Sequence, residues 1–291
     1  MDKLKIDART VICAVIGNPI EHSLSPAIHN AAFAACGINW AYVACRVEEL
    51  KQAIDGIRAL GIRGVSVTIP HKVAVMPLLD AVDEAALTIG SINTIVNTAG
   101  HLAGYNSDGE GALQALRDAG FDSAGKRVVI LGSGGAARAI AVTIALKAPP
   151  EKLTILGAVE EELLRLSSDS GRRGAVAVAG ELLTDTSLSS ALHDCEILIH
   201  ATPIGMHPKS DQSLVPVQLL HKNLVVFDIV YNPLKTRLLM DAERAGCTVI
   251  SGIEMFLNQA AFQFRLWTGQ DAPRKVMREV LQSALMRHTT T

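Results

Sequence analysis

The chain carries no marked charge of either sign: 27 Lys and Arg face 29 Asp and Glu, a formal net charge of −2 over 291 residues. That balance argues against a nucleic-acid partner and gives no drive toward an anionic membrane surface. No apolar run approaches the ~20 residues of a membrane span. The opening Met-Asp-Lys-Leu-Lys-Ile-Asp-Ala-Arg has no uninterrupted apolar stretch, so no secretory signal is expected there. Cysteine is sparse. The five present (Cys13, Cys36, Cys45, Cys195, Cys247) are scattered and never spaced C-x-x-C, which argues against a disulfide framework or a metal site and for reduced thiols in a cytoplasmic setting. Internal repeats and low-complexity stretches are missing as well. What the chain has is apolar bulk: at 49% hydrophobic residues it can fill one large core or two medium ones.

The most informative stretch lies mid-chain. Residues 128–139 read Val-Val-Ile-Leu-Gly-Ser-Gly-Gly-Ala-Ala-Arg-Ala, an apolar strand running into Gly132, Gly134 and Gly135 and then a small-residue helix start. Such a turn brings backbone against a dinucleotide pyrophosphate. Gly132 makes the tight turn, Gly134 clears space for the phosphate, and Ala137 fills the slot of a third glycine. The following helix offers its N–H groups and positive dipole end to the anion.

Periodicity organises the rest. Thr10–Ile16, Trp40–Arg46 and Gly64–Ile69 read as strands, the last stopped by Pro70. Helices are expected from Pro26, with Ser25 as N-cap, and over Glu48–Leu60. Ile92–Val96 and Leu102–Tyr105 read as a hairpin around Thr98-Ala99-Gly100. Strands alternating with helices predict a mostly parallel α/β domain. A connecting helix is expected over Gly109–Ala119. Beyond it come strand Val128–Leu131, helix Ala136–Lys147, strand Leu153–Leu156, helix Glu160–Ser167, and strands at Ala175–Val178, Ile197–His200 and Leu224–Ile229. That succession is a Rossmann-type dinucleotide-binding domain over 109–253. The first domain, 1–108, is expected to be a mixed α/β substrate domain completed by helices in 254–291, which pack back on it. The Ser/Gly/Arg-rich stretch 167–174 reads as a surface loop.

Three polar clusters fall at strand ends, where open α/β sheets place their sites. In Gly17-Asn18-Pro19-Ile20-Glu21-His22-Ser23-Leu24-Ser25, two hydroxyls could bind a carboxylate beside a helix start, although capping alone explains Ser25. In Ser66-Val67-Thr68-Ile69-Pro70-His71-Lys72, alternation puts Ser66 and Thr68 on one face. Lys72 could exchange a proton with a carbonyl or alcohol oxygen, or be one more solvated lysine. In Tyr105-Asn106-Ser107-Asp108-Gly109, Asp108 could cap a helix or hold and polarise the Lys72 ammonium over one substrate hydroxyl.

Taken together and in order, these stretches resemble the shikimate dehydrogenase family from about Ile12 to Gly269. Ile92-Asn93-Thr94, Ala201-Thr202-Pro203-Ile204-Gly205-Met206, Asp228-Ile229-Val230-Tyr231-Asn232-Pro233 and Gln259-Ala260 extend the match. The resemblance implies that Ser23, Ser25 and Tyr231 hold the shikimate carboxylate. Ser66, Thr68, Asn93, Asp108 and Gln259 would bind ring hydroxyls, and Lys72, paired with Asp108, would be the acid/base. Gly132, Ser133, Gly134, Gly135 and Ala136 would cradle the pyrophosphate, with Ile229, Gly252 and Met255 around the nicotinamide. It implies NADP as cofactor, no metal, and a monomer or homodimer.

Two departures stand out. Ser66 occupies a position where the family usually has Asn. Where NADP-using members resemble one another with Asn-Arg-Thr, this chain has Gly157-Ala158-Val159 and then Glu160, Glu161 and Glu162. Neither a phosphate-gripping arginine nor the strand-end acid of an NAD site is expected there. Arg138, Arg165, Arg172 and Arg173 are the remaining guanidinium candidates, read as solvated charge. NAD use therefore stays open, as do a quinate-using paralogue and a dinucleotide-binding regulator without turnover.

Overall fold

The structure, a computed structural model, describes residues 6–171 and 176–288. The chain divides into two compact units. One takes in the chain up to Ser107 together with the stretch from Gln259 on; the other is Asp108–Asn258.

In the first unit the elements run β1 (Val11–Gly17), α1 (Ser25–Ala35), β2 (Trp40–Arg46), α2 (Leu50–Ala59), β3 (Gly64–Val67), β4 (Ala81–Val82), α3 (Glu84–Ile89), β5 (Thr94–Thr98) and β6 (His101–Tyr105). They build a six-stranded sheet of order β2-β1-β3-β5-β6-β4. The expected parallel character holds only in part. β2–β1, β1–β3 and β6–β4 are parallel, while β3–β5 and β5–β6 are antiparallel. For β5–β6 the cause is the hairpin itself. Ala99 (φ 52°) and Gly100 (φ 90°) make a two-residue turn with left-handed backbone, which returns β6 antiparallel to β5.

Strand alternation sorts the two faces of this sheet. Val65 and Val67 join Ile16, Ile54, Ile57 and Ile95 in an aliphatic core, and α2 lays its apolar stripe there. Ser66 turns to the other face, where Tyr42, His29 and Trp267 gather. Trp267 belongs to the long helix near the C-terminus, and its Nε1 donates to the Ile95 carbonyl (3.0 Å). A Cβ at Gly64 would strike that indole at 2.5 Å, so the strand is bare where the ring lies.

His29 is wholly buried in this cluster, stacked on Tyr42 (centroids 4.6 Å, 11°) and tilted against Trp267 (5.1 Å). Among the described residues neither ring nitrogen makes a hydrogen bond of good geometry. Its polar neighbour Gln263 spends its amide on the Asn93 carbonyl and Thr94 Oγ1. Burial pushes the imidazole from 6.5 down to about 3. The unfolded chain therefore binds the extra proton between those two values, so this term of stability is complete above ~6.5 and declines as pH falls toward 3. Urea unfolding at pH 7 and pH 4.5 should show the wild type losing about 2–3 kcal/mol more than His29→Phe. Equal losses in both proteins would dismiss His29 as an acid-labile group.

The second unit opens within α4 (Ser107–Asp118). It continues β7 (Arg127–Leu131), α5 (Gly135–Lys147), β8 (Lys152–Gly157), α6 (Glu160–Gly171), β9 (Ala177–Leu182), α7 (Asp185–Leu192), β10 (Ile197–His200), β11 (Val225–Asp228), α8 (Arg237–Arg244) and β12 (Thr248–Ser251). All five pairings of its six-stranded sheet, β12-β11-β10-β7-β8-β9, are parallel. Renumbered within the unit that is 3-2-1-4-5-6, the Rossmann order, with its switch point between β7 and β10. Leu131, Leu156, Leu198 and Val226 fill one side of it with Leu188, Leu192 and Leu239. Helices α9 (Gly252–Thr268) and α10 (Arg274–His288) end the chain, and α10 packs on α1 as expected of a segment returning to the first unit.

Several local expectations need correction. Ser25 is not the N-cap of α1. The helix begins at Ser25 after Leu24, and the Ser25 N–H instead meets Ser23 Oγ at 3.3 Å. β3 stops at Val67 rather than Ile69, and α2 is shorter than Glu48–Leu60. Asp108 does not precede α4 but lies in its first turn: the helix starts at Ser107, two residues early, where Asn93 Oδ1 accepts the Ser107 N–H (2.8 Å). α6 continues through Gly171, so only part of 167–174 can be loop; Arg172, Arg173 and Ala175 lie outside the described residues. Elements β4, α3, α7, α8 and β12 were not expected. No helix among the described residues is long and apolar enough to cross a membrane.

Candidate active site

The first unit gathers most of the expected substrate-side residues. Lys72 sits on a turn entered through Ile69-Pro70 and pinned on both sides. The His71 N–H donates to the Thr68 carbonyl (2.9 Å), the buried His71 ring bonds Val47 O through Nε2 (3.0 Å), and the Ile92 N–H donates to the Lys72 carbonyl (2.8 Å). That last bond lays the lysine main chain beside Asn93. Asn93 Oδ1 accepts from Thr94 Oγ1 (2.8 Å), while its Nδ2 donates to Ser107 Oγ (3.0 Å). Ser107 Oγ in turn approaches Gln259 Oε1 (3.2 Å). Asn93 and Gln259, 166 positions apart in sequence, thus share one buried hydroxyl as their hinge. Ser107 is wholly buried, and sequence reasoning gave it no role.

Ser66 behaves differently from expectation. Its hydroxyl donates to Gln263 Oε1 (2.9 Å) and accepts from Tyr42 Oη (2.7 Å). A serine oxygen has one proton and two lone pairs, so a single lone pair is left for anything else. Tyr42 also has the Ser25 side chain as a hydrogen-bonding neighbour. Ser25, Ser66, Asn93 and Gln259 therefore belong to one connected polar patch on the His29 face of the sheet, with Tyr42, Ser107 and Gln263 as links that sequence reasoning missed. Tyr42 carries only the signal of a strand aromatic, and Gln263 that of a helix polar residue. Ser23 stands just before α1, half-buried.

The second unit presents the nucleotide loop. Gly132 (φ 115°) ends β7 with its Cα hydrogens against Ala201: a Cβ there would lie 2.5 Å from that carbonyl oxygen, so only glycine fits. Gly134 and Gly135 are exposed, with no atom within 4 Å of where a Cβ would be. Gly134 is the N-cap of α5 and brings no side-chain cap, which leaves the helix start to an external acceptor. Ala136 is half-buried and Ala137 fully buried against the sheet. These features fit a dinucleotide pyrophosphate.

At the far edge, Gly252 meets the Ile229 carbonyl, where a Cβ would come within 2.3 Å, and Met255 is buried one turn along α9. Tyr231 is exposed by 37% and tilts against Phe256 (5.1 Å). Behind Ile229 lies a network that the sequence did not announce. Asp228, wholly buried, bonds His200 Nδ1 (2.9 Å), accepts the Val230 N–H (3.1 Å) and accepts Thr236 Oγ1 (2.5 Å). His200 Nε2 continues to Thr202 Oγ1 (2.6 Å). The loops after the two parallel strands β10 and β11 are tied by one carboxylate. The signal available was Asp228 closing an apolar strand, a place where a buried acid needs partners.

No acid stands at the end of β8 itself, but one of the three glutamates after it reaches the loop. Ser133 Oγ donates to Glu162 Oε2 at 2.7 Å, so a carboxylate five residues past Gly157 folds back onto the glycine-rich loop. The described guanidinium candidates are engaged: Arg138 pairs with Asp169 (2.5 Å) and Arg165 with Glu161 (2.6 Å). Among the described residues no three His, Cys, Asp or Glu side chains cluster as a metal site.

Comparison with known proteins places these observations. Residues 15–95 match the shikimate dehydrogenase substrate binding domain, and residues 252–282 match the shikimate 5′-dehydrogenase C-terminal domain. A relative in Moorella thermoacetica, named shikimate dehydrogenase (NADP+), is 44% identical over 97% of this chain and 96% of its own. Among solved structures, shikimate 5-dehydrogenase from Listeria monocytogenes, in complex with shikimate and NAD, superposes with a TM-score of 0.92 at 35% identity. It covers 95% of this chain and 98% of that one. Quinate dehydrogenase from Corynebacterium glutamicum, in complex with NAD, gives 0.85 at 30% identity, over 94% and 99%. With such identity across nearly the full length, this chain belongs to the shikimate dehydrogenase family.

Proposed function

We propose that this protein catalyses the reversible reduction of 3-dehydroshikimate to shikimate with a nicotinamide dinucleotide, in the route to aromatic amino acids. The observation that carries the reading is the polar patch of the first unit. Asn93 and Gln259 meet through Ser107, beside a turn that presents the one lysine of the Val-Thr-Ile-Pro-His-Lys stretch. Hydroxyl-binding amides and an ammonium suit a polyhydroxylated ring whose carbonyl must accept a proton.

In this reading Lys72 gives a proton to the ring carbonyl oxygen during reduction and takes it back in the reverse direction. Asp108 holds and polarises that ammonium, and Thr68, Asn93 and Gln259 orient the ring hydroxyls. Ser23, Ser25 and Tyr231 hold the carboxylate. Gly132 through Ala136 hold the pyrophosphate, and Ile229, Gly252 and Met255 flank the nicotinamide, which supplies or takes up the hydride. The ammonium set against developing alkoxide charge is the main catalytic device of these residues. The relatives' names point to NADP(H); the choice between phosphorylated and unphosphorylated dinucleotide is made at the end of β8, where this chain departs from the NADP-using pattern. A small ring acid as partner, a cytoplasmic setting and a monomer or homodimer complete the proposal.

Ser66 motivates a second reading, in which quinate is the better substrate. With its proton committed to Gln263, Ser66 cannot do for a ring hydroxyl what a longer amide does. Steady-state rates for shikimate and quinate, each with NAD+ and NADP+, separate the two. Shikimate should exceed quinate in kcat/KM with either cofactor. A reversed order would hand the chain to the quinate reading, and no rate with any pairing would leave it a binding protein.

A further inference from the structure

A Rossmann site judges the 2′ position of the adenosine ribose at the end of its second strand. In this chain that strand is β8, and its end offers no side-chain donor to a phosphate. Gly157 has no side chain, while Ala158 and Val159 are exposed and carry no donor. The strand end and the pyrophosphate loop touch: a Cβ on Gly157 would come within 2.9 Å of Ser133 Oγ. That same hydroxyl donates to Glu162 Oε2 at 2.7 Å, so the carboxylate stands one hydroxyl away from Gly157. Glu160 and Glu161 share the first turn of α6 with it, all three exposed.

Among the described residues, the nearby guanidinium groups are ion-paired. Arg138 is ion-paired with Asp169, both largely covered, and Arg165 pairs with Glu161 along α6. A 2′-phosphate carries close to two negative charges and would meet carboxylates, with no unpaired guanidinium among the described candidates Arg138 and Arg165 to compensate them. A free ribose 2′-hydroxyl, by contrast, can donate to a carboxylate oxygen. We infer that this chain turns away the 2′-phosphate and takes NAD(H), with Glu162 as the residue that discriminates. This departs from the NADP+ in the names of the curated relatives, and it rests on the Gly132 loop being the nucleotide site. Discrimination of this kind is a repulsive element set against one of two otherwise identical ligands.

The competing role for Glu162 is local: an acidic residue in the first turn of α6 favours the helix dipole and steadies Ser133. Glu162→Gln separates the two, since the amide keeps an acceptor for Ser133 and removes the charge. Isothermal titration of the full chain with NAD+ and with NADP+, without ring substrate, reads affinity independently of turnover. The wild type should bind NAD+ at least tenfold more tightly than NADP+, and E162Q should narrow that ratio at least threefold by raising NADP+ affinity. Glu160→Gln, one turn edge away and without the Ser133 bond, should change it less than twofold. Equal or tighter NADP+ binding by the wild type overturns the inference, as does an E162Q ratio unchanged from wild type. An E160Q effect as large as that of E162Q removes Glu162 from the role. If neither dinucleotide binds, the nucleotide-site assignment itself falls, an outcome distinct from equal binding.

Discussion

Lys72→Ala should lower kcat by roughly a hundred- to ten-thousandfold, the usual worth of a positioned proton donor, while leaving the fold and dinucleotide affinity close to wild type. The reason to expect an intact fold is that the lysine turn is held by its main chain. The Ile92 N–H bonds the Lys72 carbonyl, and the flanking His71 is fixed to Val47 and Thr68. None of these bonds uses the lysine side chain, which is half-buried. The glycine-rich loop belongs to the other unit, so NAD+ and NADP+ titrations should agree with wild type within about twofold. Steady-state kinetics with a urea midpoint and one titration test all three parts. A variant with full turnover would remove Lys72 from the chemistry, and one that unfolds would show the side chain to be structural. Lys72→Arg should rescue charge without rescuing rate, because a guanidinium does not release its proton near neutral pH.

How far the sequence reaches depends on whether the physics is local. The Rossmann unit was legible from the run Val128–Leu131, the glycines after it and the alternation of apolar strands with helical stripes. Each is a short-range pattern that parallel burial enforces. The first sheet was legible strand by strand, and so was its hairpin around Ala99 and Gly100, but the antiparallel pairing of β3 with β5 was not, because no local pattern sets it. Two-residue β4 and the eight-residue α8 escaped for lack of length. In the candidate site, residues such as Asn93 and Gln259 were named by the family resemblance. Their link was not. Ser107 joins them only after the chain has travelled through a whole second unit and back. Ser66 illustrates the opposite limit: its departure from the family pattern was visible, but Tyr42 on β2, two strands over, and Gln263 on α9 had to be seen before its hydroxyl could be counted as left with a single lone pair. Glu162 is similar. A rule that looks for an acid at the end of β8 misses one that folds back from the next helix.

The buried carboxylate of Asp228 carries the largest stability effect expected in the dinucleotide unit. Removing it in Asp228→Ala strands His200 Nδ1, the Val230 N–H and the Thr236 hydroxyl at once, all in a pocket with no solvent access to Asp228. Truncating one member of a buried polar network costs about 3–5 kcal/mol, since the remaining groups keep their desolvation penalty and lose their partner. Asp228→Asn keeps shape and one acceptor oxygen, so a loss nearer 1–2 kcal/mol is expected. The effect should not stop at stability. Asp228 immediately precedes Ile229, and through His200 it fixes Thr202 at the start of the loop after β10. Both lie at the carboxyl ends of the strands, the edge where an open α/β sheet holds its ligand. Asp228→Asn should therefore weaken dinucleotide binding several-fold while remaining folded at 25 °C. Urea unfolding and calorimetric titration of the two variants decide it. A loss under 1 kcal/mol for Asp228→Ala would mean the network is satisfied by water and holds no loop in place; normal dinucleotide affinity in a destabilised Asp228→Asn would confine Asp228 to the core.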